Sequence, residues 1–152
     1  MPILQLTYAA AAGRRPPARP EIARAVLGPT AAILKKKPEL TALTLRAVDP
    51  EDWFIAGTAL ARHGLGSFFL EIRITDGTNT KAEKAAYIAA VFAALRDLLG
   101  PLHAESYVHV DDVRAEAYGY GGLTQEFRFI ADRIDAEERE RRSDRALAHG
   151  VR

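Results

Sequence analysis

Cysteine is absent from all 152 residues, which excludes disulfides, a thiol nucleophile and cysteine-ligated zinc. Excess charge is nearly absent too: 21 Lys and Arg against 20 Asp and Glu leave +1, so no general basic footprint marks a nucleic-acid partner. No apolar run approaches 18 residues and no signal-peptide pattern opens the chain, so a soluble cytoplasmic protein with no membrane partner is expected. The stretch Asp76–Thr80, DGTNT, has one glycine and no Gly-x-x-x-x-Gly-Lys pattern, which rules it out as a phosphate loop. No Gly-x-Ser-x-Gly elbow exists from which a serine-hydrolase triad would start. His103 and His109, with Asp111 and Asp112 nearby, match no metal-ligand spacing, so no metal is expected.

What the chain does have is apolar content and repetition. With 48% hydrophobic residues it can bury a real core as one compact unit. Sliding the sequence on itself by 65 residues lays Val26-Leu27 on Val91-Phe92, Ile33-Leu34 on Leu98-Leu99, and Trp53 to Gly57 on Tyr118 to Gly122; sliding it by 66 lays Pro2 on Phe68. Each half reads strand, loop, helix, strand, then a turn of aromatics and glycine. The expectation is a tandem βαβ duplication, with repeats at about 2–57 and 67–122 in one domain spanning 1–130, and a charged extension over 131–152.

Four segments alternate with period two. Leu4, Leu6 and Tyr8 oppose Ile3, Gln5 and Thr7; Leu43 and Leu45 oppose Thr44 and Arg46; Phe68, Leu70, Ile72 and Ile74 oppose Phe69, Glu71, Arg73 and Thr75; Val108 and Val110 oppose Tyr107, His109 and Asp111. One apolar and one polar face on every strand predicts a four-stranded mixed sheet with two helices on one side, an α+β fold. The second helix should start at Thr80, because Thr80-Lys81-Ala82-Glu83 has capping-box spacing, and should end at Gly100-Pro101. The first, about Pro20 to Lys36, is expected to kink or break at Gly28-Pro29. The run Lys35-Lys36-Lys37 reads as a favourable partner of that helix's dipole. Thr58–Gly66 is expected to be a linker with His63 exposed in it, and the charge-rich residues after Phe129 a solvated helix or a frayed tail.

Pro2 heads the first strand, and the small residue after Met1 favours removal of the initiator methionine. The exposed secondary amine would then be the chain's candidate acid–base group. An ordinary α-amino group has a pKa of about 7.7 to 8.0, and desolvation or neighbouring cations lower it toward neutrality, where it can accept and return protons.

The Met-Pro-Ile start, the βαβ duplication, the strand-DGTNTKAEK-helix junction and YVHVDDVRAEAYGYGG together resemble the tautomerase superfamily, which includes 4-oxalocrotonate tautomerase, malonate semialdehyde decarboxylase, cis-3-chloroacrylic acid dehalogenase and macrophage migration inhibitory factor. Tyr118-Gly119-Tyr120-Gly121-Gly122 matches the family's hairpin motif, and Trp53-Phe54-Ile55-Ala56-Gly57 is its degenerate copy. The length looks most like the fused decarboxylase and dehalogenase branches. The resemblance implies a homotrimer and a cofactor-independent isomerase whose Pro2 acts as general base on a small enol or 2-oxo carboxylic acid. The alternatives it leaves are a decarboxylase, a dehalogenase or hydratase, and a non-catalytic trimeric binding module. It further implies cations that bind the substrate carboxylate and a developing enolate. The fused branches carry arginines after the third strand where this chain has Thr75-Asp76-Gly77-Thr78-Asn79, which weighs toward simple tautomerisation. Arg73 is the first substitute and Arg46 the second; Arg14 or Arg15 approximates the family's first-loop arginine. Tyr118 and its repeat counterpart Trp53 are implied pocket aromatics, and His109 and Asn79 complete the candidate substrate contacts.

Overall fold

The computed structural model describes residues 2–149, with side chains through residue 145. Compactness divides the chain into two units, one ending at Asp112 and the other beginning at Val113. In the first, β1 (Ile3–Ala9) leads through a proline-rich loop to α1 (Arg19–Ala32), then to β2 (Ala42–Ala47) and a hairpin of β3 (Phe54–Ile55) and β4 (Thr58–Ala59). A single helical turn, α2 (Leu60–His63), joins this to β5 (Ser67–Thr75), α3 (Lys81–Leu99) and β6 (Tyr107–Val113). The second unit holds a hairpin of β7 (Gly119–Tyr120) and β8 (Leu123–Thr124), followed by α4 (Gln125–His149).

The sheet order is β2-β1-β5-β6. It is mixed, since β1 runs parallel to β2 and antiparallel to β5. Leu4, Leu6 and Tyr8 of β1 and Phe68, Leu70, Ile72 and Ile74 of β5 are buried with Ile22 and Val26 of α1 and Tyr87, Val91, Leu95 and Leu99 of α3. The inward positions of β1 and β5 are even-numbered, and Leu43 and Leu45 of β2 join them in register with Leu4 and Leu6, so both helices cover one face and the alternate polar positions form the other, as the alternation predicts. A fully buried side chain of this kind contributes about 1.5–3 kcal/mol relative to leaving it in water, so the one covered face carries the stability of the unit.

The internal repeat is visible in what is buried. Inward Leu4, Leu6 and Tyr8 correspond to Leu70, Ile72 and Ile74 at a spacing of 66 residues, while Ile22, Val26, Thr30 and Leu34 correspond to Tyr87, Val91, Leu95 and Leu99 at 65. The single-residue change falls in the strand–helix loop, where an insertion alters no facing. The hairpins obey the same spacing: the N–H of Leu60 donates to the carbonyl of Trp53 at 2.7 Å, and the N–H of Gln125 to that of Tyr118 at 2.8 Å. Both turns need two successive positive φ angles; Gly121 and Gly122 supply +57° and +77°, Ala56 and Gly57 +50° and +77°.

Two expectations are corrected. First, α1 runs through Gly28-Pro29 without a break and ends at Ala32, short of Lys36. Pro29 removes one backbone donor, its own, and the helix carries past it, with Ile33 N–H donating to the Pro29 carbonyl at 2.9 Å and the Thr30 hydroxyl donating to the Val26 carbonyl at 2.8 Å. Second, Thr58–Gly66 is ordered as β4 and α2, and His63 is half-buried with its ring 5.1 Å from that of His103, edge to face. Of the two forms expected for the charged segment, the helix is the one that occurs, from Gln125 onward, with Phe127, Ile130 and Ile134 exposed along it. The capping box at Thr80 forms as expected: Glu83 N–H donates to the Thr80 hydroxyl at 3.2 Å, and Thr80 N–H to the Glu83 carboxylate at 2.8 Å.

Candidate functional site

Pro2 is buried at the head of a central strand. Its carbonyl accepts from Ala42 N–H at 3.2 Å, and the next residue, Ile3, pairs with Ala42 on one side and Arg73 on the other. Pro2 therefore stands level with Ile74, between the entry of β2 and the exit of β5. The same sheet end receives the end of α1, the loop Asp76–Thr80 and the start of α3. Sheet register, rather than any local motif, brings these together.

That loop is tightly held. Thr78 donates its hydroxyl to the Thr75 carbonyl at 2.6 Å, and the Asn79 amide donates to the Leu34 carbonyl at 3.1 Å and to Glu83 at 3.3 Å. The Thr80 N–H, then the Asn79 amide, hold the Glu83 carboxyl below its usual range, because each bond favours the ionised form. Lys84 pairs with Asp112. The Lys36 ammonium donates to the Thr78 hydroxyl at 2.8 Å. Burial pushes the Lys36 pKa down, opposed by Glu83 and Asp112 and assisted by Lys84. The dipole-partner role expected of the basic run suits Lys35, whose ammonium donates to the Ala32 carbonyl at 2.6 Å. Lys36 turns instead toward the Pro2 end, and sequence carried no signal distinguishing it from its neighbours.

The expected carboxylate binders separate. Arg73 lies on the uncovered face beside the Pro2 end, 2.5 Å from Glu71 and 3.7 Å from Asp111. Arg46 is exposed on the same face but opposite Thr7, four residues along β1 from the Ile3–Arg73 pair and hence roughly 13 Å away along the strand. Arg14 follows the far end of β1, where it donates to the Asp97 carbonyl at 2.6 Å. Trp53 also follows the far end, since β2 runs parallel to β1; with Phe54, Glu105 and Tyr107 it lines a cleft of about 400 Å³. The Tyr107 hydroxyl donates to the Glu105 carboxylate, which raises the phenol's pKa. His109 is exposed on β6. In the second unit, Tyr118 is half-buried and lines a hollow of about 330 Å³ with Gly119, Tyr120 and Leu123. Within the first unit, then, Pro2, Arg73 and Asn79 share one end of the sheet, while Arg46 and Trp53 do not.

No protein-family model matches the chain, and no curated protein does. Solved structures do. A fused 4-OT described as a wild-type symmetric trimer superposes with a TM-score of 0.66 at 20% identity, over 80% of this chain and 96% of that one. A macrophage migration inhibitory factor-like protein from Entamoeba histolytica gives 0.64 at 16% identity, over 81% and 97%. Pt0534, solved after inactivation by 2-oxo-3-pentynoate, gives 0.63 at 13% identity, over 82% and 97%. The expected fold is thereby shown: it is the tautomerase and migration-inhibitory-factor fold, in the fused two-repeat form.

Proposed function

We propose that the chain is a cofactor-independent tautomerase in which Pro2, freed by loss of Met1, is the general base toward a small enol or 2-oxo carboxylic acid. The observation that carries this reading is the burial of Pro2 at the head of a central strand of a sheet with the fused 4-OT fold. Burial disfavours the ammonium form, and Lys36 and Arg73 at the same sheet end disfavour it further. Only the neutral amine abstracts a proton, so activity rises with pH through a lowered amine pKa. Arg73 is the proposed carboxylate partner; an incoming carboxylate replaces Asp111, which among the described residues lies farther from the guanidinium than Glu71 does, while Glu71 keeps the guanidinium in place. The active assembly is a homotrimer, as the fused 4-OT structure is described, and the charged face bearing Glu71, Arg73, His109 and Asp111 is what a ring of three sheets would enclose.

Ketonisation of 2-hydroxymuconate or phenylenolpyruvate by processed protein, Met1-retaining protein and Pro2→Ala tests the reading. Turnover confined to the processed wild type is expected, with 2-oxo-3-pentynoate labelling the Pro2 amine. Equal turnover by the Met1-retaining form defeats it. Light scattering at micromolar concentration checks the trimer, which a particle of 16.6 kDa would exclude.

A further inference from the structure

We propose that Lys36 is a second reactive amine at the Pro2 end, one that captures the carbonyl of an aldehyde or a short 2-oxo acid as an imine. Five lysines are present, and their surroundings differ. Lys84 is neutralised by Asp112. Lys35, Lys37 and Lys81 are exposed. Lys36 is half-buried, and among the described residues its ammonium makes no ion pair; its contact is the neutral Thr78 hydroxyl at 2.8 Å.

The acids that face it are committed elsewhere. Glu83 accepts from Thr80 N–H and the Asn79 amide, and Asp112 from Lys84. Desolvation is the largest influence on Lys36 and lowers its pKa against the charges of Glu83 and Asp112, and a desolvated lysine is one available as a free amine. Thr78, anchored on the Thr75 carbonyl at the exit of β5, fixes the Lys36 nitrogen at the sheet end where Pro2 lies. The ammonium gives one proton to water; the neutral amine adds to the carbonyl carbon, and the resulting carbinolamine loses the carbonyl oxygen as water with the nitrogen's remaining protons. The product is a C=N bond, with no change in oxidation state. A 2-oxo acid adds a carboxylate beside the carbonyl, and Lys84 is the neighbouring cation it would meet.

Trapping with pyruvate and sodium cyanoborohydride at pH 7, followed by site-resolved mass spectrometry, tests the assignment on the intact protein. The expected result is most of the reduced adduct on Lys36 despite its lower exposure, and loss of that adduct in Lys36→Arg with the melting temperature retained. Labelling that follows exposure, with Lys35 and Lys37 above Lys36, overturns the proposal. So does an adduct at the amino terminus alone, which would place the carbonyl chemistry on Pro2. Neither result depends on whether Pro2 is a base: enol turnover without a Lys36 adduct leaves the tautomerase reading standing, and a Lys36 adduct on a protein without turnover removes that reading alone.

Discussion

The two halves of the chain repeat one plan and diverge where chemistry is proposed. In the first half the opening strand is preceded by Pro2, which has a free amine once Met1 is gone; in the second the corresponding residue is Phe68, in mid-chain and buried in the core. The first helix is followed by Lys35-Lys36-Lys37, whereas α3 is followed by Gly100-Pro101 and Leu102, with no side-chain amine. The first hairpin runs into a helix that stops at Gly64, in the left-handed conformation at φ +67°. At the corresponding position the second copy has Phe129, and its helix continues to His149. The duplication thus preserved the buried positions of the sheet–helix layer, while the strand starts and the segments after the helices became different in kind. One proposed reactive end per chain follows.

The largest expected effect separates Pro2 from Phe68. Pro2→Ala in the processed chain should lower kcat/KM for enol ketonisation by about two to four orders of magnitude, the usual contribution of a positioned general base, with little change in melting temperature. Phe68→Ala should do the reverse, removing about 3–5 kcal/mol of stability, as measured by denaturant unfolding, through a core cavity. If both substitutions acted on stability alone, the functional asymmetry would be gone. Arg73→Ala should cost about 1.5–3 kcal/mol of transition-state binding, read as kcat/KM.

Thr30 and Leu95 are repeat counterparts, both buried. Leu95→Ala should destabilise by about 2–5 kcal/mol. Thr30→Val should cost about 1–3 kcal/mol by a different route, because it orphans the Tyr87 hydroxyl now 3.1 Å from Thr30 Oγ1. That phenol adds a pH signature. Burial pushes its pKa up to about 12, against a weaker lowering by the Thr30 bond. Above about pH 10 the unfolded chain releases this proton while the folded chain retains it until about 12, so stability falls with rising pH across that window, by at most about 1.4 kcal/mol per pH unit. Alkaline unfolding curves of Tyr87→Phe should lack this component.

The smallest effect sharpens the hairpin comparison. Ala56→Gly relieves a left-handed non-glycine residue and should stabilise by up to about 1 kcal/mol. Gly121→Ala should destabilise by a similar amount, its added Cβ also meeting the Arg128 guanidinium at 3.0 Å. Thermal melts of the reciprocal pair decide it; equal shifts of one sign would mean the two turns are not equivalent.

By itself the sequence determined the layer architecture, the repeat and the cap at Thr80, because each is written in short-range patterns: alternation of period two along strands, helical recurrence of apolar residues, and a hydroxyl three residues before a carboxylate. It also singled out Pro2, whose chemistry belongs to its place in the chain. It could not rank the cations. Lys36 looks like Lys35 and Lys37, and Arg46 looks like Arg73, until strand register sets Arg73 beside Ile3 with Glu71 and Asp111 around it, and leaves Arg46 opposite Thr7. Burial and charge pairing are properties of residues distant in sequence, since Lys36 owes its surroundings to Thr78, Glu83, Lys84 and Asp112. Only the packing of α1 and α3 on one face of the sheet brings those groups together, and desolvation, which sets an amine apart from its neighbours, exists only once that packing is complete.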